Sequence, residues 1–176
     1  RMFYGNGTAR DARGSPWRDQ GSGVLSDIGS HLLDTVHFLF GTHVVDLERK
    51  VFNRFENKSY DHVVFGTPHG YQGFPALQLE ATMLSWRNTF TLDILAEHGS
   101  AHIHCLCKWG PTTLTVRQRV LPSGKPPEES WVLECPDPTW ALEYAHFKQL
   151  CKTGGNNVAN DLWIMETLGK LSGQKS

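Results

Sequence analysis

Trp17-Arg18-Asp19-Gln20-Gly21-Ser22-Gly23-Val24-Leu25-Ser26-Asp27-Ile28-Gly29-Ser30-His31-Leu32-Leu33-Asp34 is the most informative stretch of this chain. A turn-forming glycine pair gives way to apolar residues at helical spacing, and the spacing predicts a helix over about 27–40. Ile28, Leu32, Leu33, Val36 and Leu39 form its apolar stripe, Ser26 or Asp27 is placed to cap the free amides of its first turn, and Gly41 is placed to close it in the left-handed conformation. Asp27, His31 and Asp34 fall four and then three residues apart, so they project from one side of that helix. Gly29 between them keeps the surface low, which would let a planar ring or a sugar approach the backbone. Taken alone, an Asp-x-x-x-His pair reads more readily as a helix cap, Asp27, with a surface or satisfied core histidine, His31, and Asp34 as a solvated carboxylate.

Outward from the helix the period changes. Met2 to Tyr4 reads as a short opening strand, and Gly5 to Gln20 as a long loop of the length that tends to be functional in compact domains. From residue 44 the period is two, with strand candidates at 44–55, 62–66, 77–86, 90–97, 101–108, 113–121 and 131–135, expected as one antiparallel meander. The clearest hairpin joins 77–86 to 90–97 across Arg87-Asn88, with one packed and one polar face. Pro122-Ser123-Gly124-Lys125-Pro126-Pro127 is a turn that neither helix nor central strand would tolerate. Asp137-Pro138 then starts a helix with Leu142, Ala145, Leu150 and Cys151 on one side. Gly154-Gly155 stops it, and a last helix covers about 160–171. The fold class is α+β: a single domain over 1–176, with a large, open, mainly antiparallel sheet and helices on one face.

With 176 residues, 39% hydrophobic and 20% charged, the chain is long enough to bury a core without staples. Lys and Arg total 17 against 18 Asp and Glu and are scattered, which gives no electrostatic footprint for nucleic acid or an anionic membrane, so a small-molecule partner is expected. The apolar runs fall short of a membrane span and no signal peptide is evident, so a cytoplasmic location is the default. Cys105, Cys107, Cys135 and Cys151 read as reduced, mostly buried thiols. His102-Ile103-His104-Cys105-Leu106-Cys107 suggests a metal site, but strand alternation sends the histidines to one face and the cysteines to the other, and no metal is expected. No glycine fingerprint of the dinucleotide type is present. The opening Arg1-Met2-Phe3-Tyr4 suggests a piece of something longer.

The glycine-rich lead into Asp27-x-Gly29-x-His31, with Asp34 three positions on, resembles the C-terminal domain motif of the glucose–fructose oxidoreductase, inositol dehydrogenase and rhizopine-catabolism family, Gfo/Idh/MocA. The resemblance extends over the chain, from the opening strand through the glycine after the motif helix, the large sheet and the strand–turn–strand at 92–101, to the closing helices. It departs at Gly21-Ser22-Gly23, where the family has three glycines, and Ser is tolerated there if its φ is negative. A larger departure is the family's N-terminal nucleotide-binding domain, expected to be missing here together with its Glu-Lys-Pro lysine. Gly124-Lys125-Pro126 reads as an exposed hairpin tip and is no substitute for that lysine.

The resemblance implies a nicotinamide-dependent oxidoreductase acting on a sugar, sugar acid or cyclic polyol, with NAD or NADP bound mainly by the N-terminal domain. It implies His31 as the catalytic acid/base, a role that suits imidazole because it exchanges protons near neutrality. Asp27 would orient the substrate, with Trp17, Arg18 and Asp34 as further substrate-binding residues, although a surface-packed Trp17 beside a solvated Arg18 is an equally good reading. A homo-oligomer through the free sheet face is implied as well. The alternative is a non-catalytic sugar-sensing or oligomerisation domain of the same family.

Overall fold

The computed structural model describes residues 1–41, 43, 44, 46–70 and 74–173. Its eight strands make an open, mostly antiparallel sheet accompanied by a few helices. Two compact units divide the chain, Arg1–Thr89 with Ala159–Ser176 and Phe90–Val158.

In the first unit the strands are β1 (Met2–Gly5), β2 (Glu48–Asn53), β3 (His62–Gly66) and β4 (Gln78–Thr82), in the order β2-β3-β4-β1. β3 pairs antiparallel with β2 and β4, while β1 lies parallel to β4, with Met2 opposite Leu79 and Gly5 opposite Thr82. The expected hairpin from 77–86 to 90–97 is therefore not formed, because β1 takes the free edge of β4. The chain after β4 is held elsewhere: the Met83 N–H donates to the Asp61 carbonyl (2.8 Å) and the Ser85 N–H to the Asn6 carbonyl (2.9 Å). These bonds draw residues 83–88 away from a tight turn.

A short helix, α1 (Ala9–Ala12), interrupts the long loop, and the motif helix begins as a π-helical turn, Leu25–Gly29, before continuing as α2 (Ser30–Phe40). The expected caps are not used. Both the Ser26 and Asp27 N–H groups donate to the Gly23 carbonyl (3.1 Å each), so these residues already lie inside the helix, and no side chain caps it. Gly41 closes it as expected, at φ 65° with its N–H on the His37 carbonyl (2.7 Å). Leu25, Ile28, Leu32, Leu33 and Val36 are buried, as are Val63, Phe65, Leu79, Ala81 and Met83 of the sheet side, and together they make this unit's core. Gly29 belongs to it. A Cβ there would meet Leu25 Cδ1 at 3.2 Å and Phe65 Cε1 at 3.6 Å, so Gly29 admits Phe65 from the core side and does not flatten the open face as expected. The closing helix α4 (Val158–Ser172) is tied in by Trp163, whose indole N–H donates to the Val44 carbonyl (3.2 Å) and whose ring stacks on His43 at 4.8 Å.

The second unit holds β5 (Thr89–Ala96), β6 (Gly99–His104), β7 (Thr112–Gln118) and β8 (Glu128–Leu133) as an antiparallel meander, followed by α3 (Thr139–Thr153). Asp137 starts α3 as expected, its carboxylate accepting the Thr139 N–H at 3.0 Å, and Gly154 at φ 71° ends it. Contrary to expectation, α3 buries none of its side chains: Trp140, Tyr144 and Phe147 lie along one exposed stripe. The strand alternation used to separate the histidines from the cysteines holds to His104 and stops at Cys105, whose φ is 66°. His102 is held by Asp93 Oδ1 (2.7 Å) and Ser100 Oγ (2.8 Å). All four cysteines are unpaired, but none is buried: three are half-buried and Cys151 is exposed. Among the described residues no helix is long and apolar enough to cross a membrane.

Candidate functional site

The loop between β1 and the motif helix is shaped by a few bonds. Asn6 Oδ1 accepts the Thr8 N–H (3.2 Å) and hydroxyl (2.7 Å), an Asx turn that leads into α1. The buried Asp19 carboxylate accepts N–H groups from Gly14 (2.8 Å), Lys58 (2.7 Å) and Ser59 (3.1 Å), so it clamps the loop to the segment before β3. These bonds, led by that from Gly14, hold the Asp19 carboxyl below the usual Asp value. Gly23 then passes so close to the segment before β3 that a Cβ would stand 2.2 Å from the Tyr60 carbonyl oxygen, at φ 53°, so only glycine fits. Ser22, between the two positive-φ glycines, is not itself in the left-handed region, which explains why serine is accepted there.

This loop delivers Arg18 to Asp27. The Arg18 guanidinium donates from one terminal nitrogen to Asp27 Oδ2 and to Thr8 Oγ1, both at 2.9 Å, with both members of the ion pair about four-fifths buried. Its cation lies 5.5 Å from the Trp17 ring, which is itself 70% exposed. Further along the helix His31 is exposed, with its ring centre 6.2 Å from that of Tyr4 on β1, and its carbonyl accepts the Thr35 hydroxyl (2.7 Å). Asp34 is exposed on the same side but is engaged by Asn160 of α4, whose amide donates to Asp34 Oδ1 at 2.8 Å. Phe38, 83% exposed, continues the same face.

Of the five residues singled out from the sequence, Trp17, Arg18 and Asp27 are thus brought together, His31 follows one turn on, and Asp34 is directed to the closing helix. Sequence reasoning missed Asn6, Thr8 and Tyr4. Asn6-Gly7-Thr8 carries the composition of an Asx turn, but nothing in it announces a bond to Arg18. A cavity of about 260 Å³ in this unit, lined by Arg10, Glu56 and Trp86 among others, includes none of the five. The turn after β1 does not fit a dinucleotide pyrophosphate: Gly5-Asn6-Gly7 leads into a helix of four residues, too short to present the row of amides and the dipole that hold one.

Residues 1–102 match the model of the GFO/IDH/MocA C-terminal domain. The chain belongs to that family. Solved structures agree on the fold. UDP-N-acetylglucosamine 3-dehydrogenase from Acidithiobacillus ferrooxidans superposes with a TM-score of 0.72 at 15% identity, over 97% of this chain and 52% of that one. Levoglucosan dehydrogenase in complex with NADH and levoglucosan gives 0.66 at 18% identity, over 96% and 56%. An oxidoreductase from Agrobacterium radiobacter in complex with NAD+, L-tartaric acid and magnesium gives 0.62 at 16%, over 97% and 52%. This GFO/IDH/MocA domain therefore spans about half the length of the structures it resembles. No curated protein sequence matches it.

Proposed function

We propose that this domain is the substrate-handling part of a nicotinamide-dependent oxidoreductase that interconverts a hydroxyl and a carbonyl on a sugar, sugar acid or cyclic polyol. The reading rests on one observation: in a member of this family, Asp27 and His31 share the open face of the motif helix, and the loop before that helix spends its one well-placed arginine on holding Asp27. The dehydrogenases it resembles act on carbohydrates by name, which supports the substrate class.

In this reading NAD or NADP, held by a part of the protein beyond this chain, accepts or returns the hydride. His31 takes the hydroxyl proton from the carbon that becomes a carbonyl and returns it in the reverse direction, an effect usually worth 10²–10⁴-fold in rate. Asp27, aimed by Arg18, accepts a substrate hydroxyl and fixes the ring. Trp17 offers an exposed aromatic plane at the mouth of the same loop, suited to the apolar face of a sugar. Asp34 contributes through Asn160, steadying the helix against α4.

The second unit supports self-association. Leu92, Ile103, Leu114 and Trp131 stand in one row across its sheet, and Trp131 and Leu133 on that face are exposed, while Phe90 and Leu92 are its buried apolar side chains among the described residues. Such an uncovered face suits a second copy of the chain. Light scattering on the full-length protein should give an oligomer, and a monomer at working concentration removes this part of the reading. The function itself is tested by screening the full-length protein for turnover of aldoses, inositols and sugar acids with NAD and NADP. Turnover of at least one class with one cofactor is expected. Saturable sugar binding without turnover of any would point instead to a sensor.

A further inference from the structure

Three of the four cysteines gather around the turn that joins β6 to β7. The Trp109 N–H donates to the Leu106 carbonyl (2.8 Å) and the Gly110 N–H to the Cys107 carbonyl (3.4 Å), so the chain folds back and sets Cys107 against Gly110. The antiparallel register of β7 and β8 ends on Thr112 opposite Leu133, two residues after Gly110 on one strand and two before Cys135 on the other. Turn and register therefore converge on one place. Cys107, Gly110 and Cys135 line a common cavity of about 360 Å³ with Pro111, Glu134 and Pro136, and both thiols are half-buried there. The two thiols are thus neighbours in one cavity lining. Cys105 borders the same turn, its sulfur 3.9 Å from where a Cβ on Gly110 would sit, but it is not among the residues that line the cavity.

Two free thiols lining one cavity are placed for exchange chemistry, whereas Cys151, alone and exposed on α3, has no such partner among the described residues. We propose that Cys107 and Cys135 form a reversible intramolecular disulfide by exchange with a small disulfide-bearing oxidant of the glutathione class.

Burial, and after it the neighbouring Cys107, push the Cys135 thiol up, so Cys135 keeps its proton more firmly and Cys107 makes the first attack. The Cys107 thiolate forms a bond to one sulfur of the oxidant's disulfide and expels the other as a thiolate. Cys135 then gives its proton to solvent and attacks Cys107 Sγ, expelling the second oxidant thiolate. The protein loses two protons and two electrons, and one oxidant disulfide becomes two thiols. The bond formed ties the turn before β7 to the end of β8, next to Pro136-Asp137-Pro138, and so fixes the root of α3.

The test is to equilibrate the full-length protein in mixtures of reduced and oxidised glutathione, alkylate the remaining thiols, and map peptides by mass spectrometry. The expected product is a Cys107–Cys135 crosslink lighter by about 2 Da, the two hydrogens lost, with Cys105 and Cys151 still alkylated. Cys107→Ser should abolish it. Cys135→Ser should abolish it too and leave one glutathione trapped on Cys107, while Cys105→Ser and Cys151→Ser should keep it. A crosslink through Cys105 or Cys151, a crosslink between molecules, or wild-type protein that stops at mixed disulfides in the most oxidising mixture would overturn the assignment.

Discussion

Replacing Gly23 by alanine should cost this fold far more than the same change at Gly21, two residues earlier. Both glycines are in the left-handed region, at φ 53° and 61°, a conformation that costs an L-residue about 1–2 kcal/mol, against which the stiffer unfolded chain returns about 0.4–1 kcal/mol. At Gly21 that is the whole account, because nothing lies within 4 Å of the added Cβ, and a net loss of about 1 kcal/mol follows. At Gly23 the Cβ would stand 2.2 Å from the Tyr60 carbonyl oxygen and 2.6 Å from Ser59 Oγ. The backbone must move by about an ångström, which sacrifices the Val24 N–H bond to Tyr60 (2.8 Å) and the Ser59 hydroxyl bond to the Arg18 carbonyl (3.0 Å), each worth about 1 kcal/mol. Gly23→Ala should therefore lose about 3 kcal/mol, which in urea unfolding followed by circular dichroism is a shift of about 1–2 M in the midpoint. If the two variants unfold within about 0.5 kcal/mol of each other, the close approach at Tyr60 does not govern how the motif helix begins.

The phase of α2 can be checked by contrast: Leu33→Ala, at a fully buried position, should cost about 2–5 kcal/mol, whereas Phe38→Ala, 83% exposed, should change urea stability by less than about 0.5 kcal/mol. Asp19 makes stability pH-dependent. Its carboxyl titrates lower in the folded chain than the ordinary value of 3.8, so the stabilisation it gives is complete above about pH 5 and is lost as pH falls through the folded-state value. Asp19→Asn should flatten the fall of the urea midpoint between about pH 5 and pH 2, and an unchanged slope would remove Asp19 from the account. If the full-length protein has the proposed activity, Arg18→Ala should raise the substrate KM about 5–20-fold through loss of the hold on Asp27, with a smaller effect on kcat, and steady-state kinetics would show partial recovery in Arg18→Lys.

Much of this architecture was legible in the sequence because it is written in local signals. The period change after Gly41, the Asp137-Pro138 start of α3 and the left-handed glycines at 41 and 154 each depend on a few neighbouring residues. The errors lie where distant segments decide. The hairpin across Arg87-Asn88 is locally plausible and fails because β1, more than seventy residues earlier in the chain, takes the edge of β4. The cap expected from Asp27 gives way to an ion pair with Arg18, nine residues earlier in the loop, and the helix starts two residues sooner on the Gly23 carbonyl. Gly29 was placed correctly in the motif but assigned to the wrong face, since only the packed sheet reveals that Phe65 fills the space above it. α3 shows the opposite case, in which an apolar stripe clear in the sequence stays exposed among the described residues. For the candidate site, spacing was enough to put Asp27, His31 and Asp34 on one face, but not to show that Asp34 is engaged by Asn160, or that Arg18 is anchored through Thr8 and Asn6.

The central claim, that His31 moves the proton while other groups bind and orient, is tested most directly by the pH–rate profile of full-length His31→Asn beside the wild type. Asparagine keeps a polar side chain at an exposed helical position but cannot exchange protons near neutrality, so folding and cofactor affinity should persist while kcat falls about 10²-fold or more. The limb of the profile that reports the imidazole should vanish. Wild-type turnover by His31→Asn from about pH 6 to 9, with a profile of unchanged shape, would contradict the assignment and leave this face of the motif helix as a binding surface only.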